Sequence, residues 1–404
     1  MAFSVFWVTS CDLIGSSDSG NPPEIHSIRY FEPEMENAER EEISPGDRFV
    51  IHGRNLRTVR RVLINGVPVE FNPNLATDID IILNTSRDDM QLGDLDPFSD
   101  DIGFITVHTR YGEARHPVNI APGLPIIRRI SHEFARAGTT IRLTGLRLYL
   151  IYLVEFPGGV ETTDFIFDKE GEWLDVVVPN GVTEGGPILV HGHGGTNNPG
   201  ANPEFNSDRG MITNFDDIDI YLGGATGITD DPQLFPGIPN GRYAYMHIED
   251  YESSTDPDDW GQVGNAIHLD TIQWFKPEQM LDPRSVSVRQ YAIKFDINIP
   301  DAWDRGKILV LTGVNRDYAL AYAPWDDRHN PGPYSTDGWE TIELPLQVMR
   351  GDYGNGRIMR FINEFLGEDG KAPVSIIYVN DSGTRVNRLR FAIDNIRFVQ
   401  TSGI

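Results

Sequence analysis

Apolar positions in this chain come in short runs that alternate with polar ones. Examples are Ile105-Thr-Val-His108, Ile188-Leu-Val-His191, Ala292-Ile-Lys-Phe-Asp-Ile-Asn-Ile299, Lys307-Ile-Leu-Val-Leu311, Thr341-Ile-Glu-Leu-Pro-Leu346 and Val374-Ser-Ile-Ile-Tyr-Val379. Each is of strand length and bounded by turn residues. Arg390-Phe-Ala-Ile-Asp-Asn-Ile-Arg-Phe-Val399 reads as a closing strand, with Phe391 and Ile393 followed by Ile396 and Phe398. Met359-Arg-Phe-Ile-Asn-Glu-Phe-Leu366 is the clearest short helix. The pattern predicts an almost all-β protein, and 40 glycines with 27 prolines favour turns over long helices in the same way.

The pattern also repeats. Pro23-Glu-Ile-His-Ser-Ile-Arg29 is answered by Pro125-Ile-Ile-Arg-Arg-Ile130. The stretch from Gly46 through Phe49, Ile51 and Gly53 to Leu56 is answered by Gly138, Ile141, Leu143, Gly145 and Leu148. Asn65-Gly66 is the strongest hairpin signal in the chain. Gly53 is expected to relax the backbone where its strand ends. Each unit is about 90 residues, the size of one small β-sandwich. In the second, Phe156-Pro-Gly-Gly159 stands where the first has Asn-Gly.

At 404 residues the chain has room for two to four domains. Its 34 Lys plus Arg against 60 Asp plus Glu give a formal net charge of -26. That balance excludes nucleic acid as a partner, because backbone phosphates demand the opposite sign. The single cysteine, Cys11, closes an apolar start, Met1-Ala-Phe-Ser-Val-Phe-Trp-Val-Thr-Ser10, and precedes a polar tract, Asp12-Leu-Ile-Gly-Ser-Ser-Asp-Ser-Gly-Asn21. This resembles the end of a bacterial lipoprotein signal with Cys11 as the lipidated residue. The apolar stretch is short and lacks a basic start, departures that a late-assigned start codon would explain. Acyl chains would then supply membrane anchoring.

The repeated segments resemble the immunoglobulin-like TIG/IPT module. Residues 1–22 then form a signal end and linker, with spacer modules at 23–121 and 122–213. Residues 214–404 carry five of the seven tryptophans, several among glycines, prolines and acids, and read as a larger jelly-roll-like β-sandwich. Asp394-Asn395-Ile396-Arg397 resembles the last strand of carbohydrate-binding modules. Asn298-Ile-Pro-Asp-Ala-Trp-Asp-Arg-Gly306 and Asp337-Gly-Trp-Glu-Thr-Ile-Glu-Leu-Pro345 resemble the C-terminal domain of Bacteroidetes surface glycan-binding proteins. These are lipoproteins that serve SusC/SusD-like outer-membrane uptake complexes. That resemblance implies a monomeric, lipid-anchored, cell-surface protein holding a β-glucan, xyloglucan, xylan or mannan.

An indole in a polar loop suits a sugar ring, whose C–H face stacks while its hydroxyls bond to the rim. Trp325, in Tyr322-Ala-Pro-Trp-Asp-Asp-Arg328, and Trp260, in Asp256-Pro-Asp-Asp-Trp-Gly261, have the most loop-like settings. Trp274, Tyr322 and Tyr334 join them as candidate glycan contacts, while Trp303 and Trp339 read as structural. Asp217, Asp219 and Asp394 are candidate ligands of one structural Ca²⁺ where the first and last strands meet, with capping as the alternative; no cofactor is required. His191-Gly-His193 is two ligands short of a metal site and reads as loop. Trp173 reads as packing or a domain contact.

A glycosidase needs two carboxylates about 5–10 Å apart across a cleft. Glu340 with Glu343, or Glu249 with Asp250, are the nearest local pairs, and neither stretch points to such a site. No Gly-x-Ser-x-Gly or His-Glu-x-x-His occurs. The expectation is therefore binding without catalysis. A glycoside hydrolase or lyase with a Ca-stabilised sandwich, and a protein-binding adhesin, are the competing readings.

Overall fold

The computed structural model describes residues 20–31, 38–43, 47–84, 103–120, 123–201, 203–216, 221–222, 226–254, 266–274, 287–329, 331–367 and 369–401. Cys11, Asp217, Asp219 and Trp260 lie outside them. The described residues hold strands and 3-10 turns and no α-helix. The chain divides into two units, Met1–Gly123 and Leu124–Ile404.

The first unit is a small sandwich. Strands Glu24–Tyr30, Arg48–Arg54 and Asp80–Asn84 form one sheet. Glu42–Ile43, Gly112–Ile120, Gly103–Thr109, Val59–Ile64 and Val67–Val69 form the other. Alternation along Arg48–Arg54 buries Phe49, Ile51 and Gly53 and leaves Arg48 and Arg54 exposed. The inward residues meet Ile81, Leu83, Val62, Ile64, Ile105 and Val107 in one core. Asn65 and Gly66 take φ of 49° and 81° between strands Val59–Ile64 and Val67–Val69, the left-handed pair that a two-residue hairpin needs.

The second unit begins with another such sandwich. Phe165–Phe167, Trp173–Val177, Thr140–Leu146 and Ile126–Ile130 face Val160–Thr162, Ile151–Phe156, Leu189–Gly192 and Gly195–Thr196. Its own core includes Ile141, Leu143, Leu174, Val176, Val154 and Val190. The turn between Ile151–Phe156 and Val160–Thr162 is made by Gly158 and Gly159, with φ of 83° and 74°. Two glycines at matching positions of the repeat, Gly53 and Gly145, behave alike. Gly53 lies within its strand, and a Cβ there would fall inside the van der Waals shell of the Glu24 carbonyl oxygen. Gly145 stands in the same relation to the carbonyl of Ile126. Each sits at or beside a slip in strand register. Close backbone approach, rather than a strand end, is what fixes glycine at both sites.

The remaining chain forms the larger sandwich. One sheet runs Thr226–Thr229, Tyr243–Tyr251, Val386–Gln400, Tyr291–Asn298, Glu340–Pro345, with Met211–Thr213 also paired to Val386–Gln400. The sheet therefore starts at Met211, slightly ahead of the boundary expected at 213/214. The facing sheet runs Tyr221–Leu222, Ala266–Gln273, Lys371–Val379, Lys307–Thr312, Tyr318–Tyr322. Phe295, Ile297, Ile308, Val310, Ile376 and Phe391 lie in the core between them. In the long last strand, inward side chains switch from odd to even positions at Asn395, whose φ is 49°. This left-handed residue is a bulge. It explains why Phe391 and Ile393 share a core with Ile396 and Phe398.

The expected helix at Met359–Leu366 is a correction. The structure has a single 3-10 turn there, Ile362–Glu364. Met359, Ile362, Phe365 and Leu366 are all buried, and the threefold spacing of the first three fits a 3-10 turn. The Glu364 carboxylate accepts the N–H groups of Arg360 (2.8 Å) and Phe361 (3.1 Å), stopping the turn at its start.

Within the second unit the two sandwiches join through buried polar groups. Ser131, His132, Glu133 and Phe134 follow strand Ile126–Ile130 and meet Tyr291–Asn298, Glu340–Pro345 and Val386–Gln400. Glu133 accepts from Lys294 Nζ and Arg397 Nη1, both at 2.8 Å. Glu133 N donates to Thr341 Oγ1 (2.8 Å), and Thr341 N donates to the Ser131 carbonyl (2.7 Å). Arg397 also lies over the Phe134 ring, 4.6 Å from its centroid.

Candidate functional site

The loop after strand Tyr318–Tyr322 is folded by local chemistry. Pro324 opens a 3-10 turn through Asp326, and Ala323 and Pro324 carbonyls accept from Asp326 N and Asp327 N. Gly332 N returns to the Trp325 carbonyl at 3.0 Å. The result holds Trp325 half-buried at the edge of the large core, among exposed Asp326, Asp327, Arg328 and His329. Its indole Nε1 donates to the Gly306 carbonyl at 2.8 Å, so the ring has one orientation. Beneath this layer Trp303 is buried, and its Nε1 donates to the Arg305 carbonyl. Trp303 and Tyr334 exchange backbone hydrogen bonds at 2.8 Å in both directions.

The other sequence candidates divide. Tyr322 is buried, with its ring 5.8 Å from Trp303 and 6.5 Å from Tyr334. Burial, chiefly, pushes its hydroxyl far above the ordinary tyrosine range, and it stays neutral. Tyr334 is half-buried, and its hydroxyl donates to Glu340 Oε2 at 3.1 Å. Trp274 is a correction. It packs inside, edge-on to Phe365 (5.1 Å) and Phe398 (5.0 Å), and its Nε1 donates to the Ala372 carbonyl. The indole follows strand Ala266–Gln273 and is buried, where an apolar ring with one satisfied N–H is stable. Tyr322 is likewise a support beneath the surface rather than a contact. Trp339 is a corner residue, 5.2 Å from the Tyr243 ring. Trp173 lies under the Arg142 guanidinium, 4.4 Å from the ring, and Arg142 in turn grips Asp175 at 2.6 Å through two nitrogens.

The carboxylates have structural partners. Asp394 is buried, and Oδ1 accepts Asn395 N at 2.7 Å. Burial and the neighbouring Asp296 push its carboxyl well above the usual range. Asp296 is held by Thr341 Oγ1 and Asn395 Nδ2, with His132 Nε2 3.6 Å away. Of the three expected Ca²⁺ ligands, Asp394 alone lies among the described residues. Among the described residues no group of three or more His, Cys, Asp or Glu could hold a metal ion. His191 bonds Thr196 (2.9 Å) and Glu155 (3.3 Å) instead. Glu343 pairs with Lys294, Glu249 with His247, and Asp250 with Arg385.

One aromatic escaped the sequence reading. Tyr353 sits half-buried against a second apolar cluster on the five-stranded sheet, made by Leu309, Leu311, Ala319 and Ile377. It and Asp352 both have φ of 51°, a left-handed conformation that a tyrosine adopts only under constraint. The glycines of Gly351-Asp-Tyr-Gly-Asn-Gly356 marked a turn, but nothing in them marked the ring as presented.

Residues 205–400 match the family model for the surface glycan-binding protein B xyloglucan binding domain. The C-terminal domain is similar to this family. The match covers the large sandwich, including Trp303, Trp325, Tyr334 and Tyr353. A curated relative, an IPT/TIG domain-containing protein of Bacteroides ovatus, is 29% identical over 148 residues. That stretch is 36% of this chain and 29% of the relative's length. Among solved structures, a surface glycan-binding protein from Prevotella bryantii aligns over 95% of this chain and 99% of its own, at 15% identity and a TM-score of 0.58. A protein from a complex xyloglucan utilization locus in Bacteroides uniformis aligns over 94% and 99%, at 17% identity and a TM-score of 0.54. At these identities the likeness is one of fold: tandem Ig-like sandwiches followed by a larger β-sandwich.

Asp301 ties the Asn298–Gly306 stretch of this domain to its last strand. Arg390 grips both carboxylate oxygens, at 2.9 and 3.0 Å, and Arg390 N adds a third bond. Arg390, aided by Arg388, holds the Asp301 carboxyl below the usual carboxylate range. The unfolded chain therefore binds more protons here as pH falls, so the contribution is present above the ordinary value of 3.8 and is lost below it. Asp301→Asn should lower stability by about 1 kcal/mol at neutral pH. The gap from wild type in thermal melting should close progressively as pH drops below 3.8. A gap independent of pH would reject this assignment.

Proposed function

We propose that this chain captures a polysaccharide at the cell surface, without cutting it, for a SusC/SusD-like outer-membrane uptake complex. The ligand belongs to the β-glucan class, with xyloglucan first. The observation that carries the reading is the family match on the terminal sandwich, whose loop holds Trp325 in one orientation among exposed polar groups. Its indole offers a face to a sugar ring, and the carboxylates and Tyr334 supply the rim. Tyr353 adds a second ring on the same domain. Stacking with a few hydrogen bonds gives micromolar to millimolar affinity. The outer-membrane surface is the location, and Cys11 is the site of lipid attachment in this reading.

Affinity electrophoresis in gels containing xyloglucan, mixed-linkage glucan, xylan or mannan tests it. Retardation is expected in the xyloglucan gel, with no reducing ends released. Release of reducing sugar would favour the hydrolase reading, and indifference to every glycan the adhesin. Trp325→Ala should weaken binding about 10- to 100-fold, the range for a buried aromatic contact, while leaving thermal melting within about 3 °C. Unchanged affinity would remove Trp325 from the site.

A further inference from the structure

The first unit carries a polarity that the acidic chain as a whole hides. Arg54, Arg57, Arg60 and Arg61 fall within eight consecutive residues, and all four side chains are exposed. Among the described residues none of the four has an ion-pair partner. Strand pairing puts them at one end of the sandwich. Arg54 lies opposite Glu24, the first residue of its strand, and Val59 lies opposite Thr109, next to Arg110. The chain enters at this same end. Asn55 Nδ2 donates to the Pro22 carbonyl at 2.9 Å, and Pro22 approaches Gly112. Glu24 and Glu113 are the nearby acids, and each faces a histidine, His26 at 3.3 Å and His108 at 3.4 Å. Asp78 adds a third carboxylate, with its carbonyl on Leu56 N.

The other end is mixed in charge. Glu41, Glu42 and Asp47 lie there with Arg40, which pairs with Asp47, and Arg48, the exposed first residue of its strand. Asn84 and Gly103, which flank a segment with six aspartates, lie there too.

We propose that the arginine end of the first unit is a docking surface for an anionic, phosphate-bearing lipid surface. Guanidinium forks match phosphate oxygens. The exposed cluster sits where the tract leading from Cys11 joins the fold, within at most about 35 Å of chain from that residue. Clustered cations near an anchor add roughly 1 kcal/mol each at an anionic membrane. The rest of the chain, with its net charge of -26, is repelled by the same surface, so the arginine cluster is the part that would face it. The inference deepens the surface reading above but needs neither glycan binding nor acylation of Cys11.

The test is co-sedimentation of the unacylated full chain with vesicles of phosphatidylcholine alone or with phosphatidylglycerol. Binding to the phosphatidylglycerol vesicles is expected, with release at about 0.5 M salt. The triple variant Arg54→Ser, Arg57→Ser, Arg60→Ser should lose on the order of 100-fold in partitioning. It should retain wild-type retardation by xyloglucan and wild-type melting, since these side chains are exposed. Equal binding to both vesicle types, an unaffected triple variant, or displacement by millimolar inorganic phosphate alone would overturn the proposal. Loss of glycan retardation in wild type would defeat the functional reading and leave this result standing.

Discussion

Glu133→Ala should lower the melting temperature of the second unit by about 10 °C. The glutamate is the counter-charge for two cations, Lys294 and Arg397, and both Glu133 and Arg397 are under 5% exposed. Removing it leaves a guanidinium buried at the domain junction with only the Asn395 carbonyl and the Phe134 ring beside it. Breaking a buried pair from one side typically costs about 3–5 kcal/mol, because the remaining charge is not resolvated. For a unit of this size each kcal/mol shifts melting by roughly 2–4 °C. Lys294 would keep Glu343, at 3.2 Å, so the penalty centres on Arg397. The control is Glu133→Ala with Arg397→Leu, which removes the orphaned charge. It should recover a substantial part of the loss in calorimetry. If the double variant is no better than the single, the effect comes from lost packing and the electrostatic account fails.

Gly145→Ala is expected to be at least as damaging. The added methyl would overlap the Ile126 carbonyl oxygen, which belongs to the backbone of the partner strand and cannot rotate away. Strands Thr140–Leu146 and Ile126–Ile130 would have to separate at their bulge, next to core residues Ile127 and Leu143. A loss above about 4 kcal/mol is expected, the range reserved for enforced backbone strain or core disruption. Denaturant unfolding monitored by Trp173 fluorescence would report it, since Trp173 pairs with Thr144 in the adjacent strand. Gly66→Ala is the useful contrast. Nothing lies within 4 Å of a Cβ there, so its cost is limited to the left-handed backbone, about 1–2 kcal/mol. Equal losses at the two sites would show that backbone conformation, not close approach, sets the requirement.

The strands were legible because alternation is a local property. Phe49, Ile51, Ile141, Leu143, Phe391 and Ile396 are all buried where their spacing places them. The Asn65-Gly66 hairpin was legible for the same reason. The reason for Gly53 and Gly145 was not, because the obstructing carbonyl is supplied by another strand. Met359–Leu366 looked helical because a spacing of three serves either kind of turn until the flanking contacts are known. The aromatic candidates were least legible. Trp274 and Trp325 both have polar neighbours in sequence, yet one indole lies against Phe365 and Phe398 and the other reaches the loop surface. Which side of a sheet a ring takes depends on register, and register depends on strands distant in the chain.

The bulge at Asn395 has a practical corollary. A plain strand would turn Ile396 and Phe398 to the face opposite Phe391 and Ile393, so the core of the terminal sandwich needs the extra residue. The same residue serves the junction, where Asn395 Nδ2 reaches Asp296 and Arg397 reaches Glu133. A truncated form starting near Asn214 would lose the residues that meet Asp296 and Arg397 at the junction, and leave the bulge with only its core role. The smallest piece that carries the terminal sandwich with its junction intact begins at Leu124.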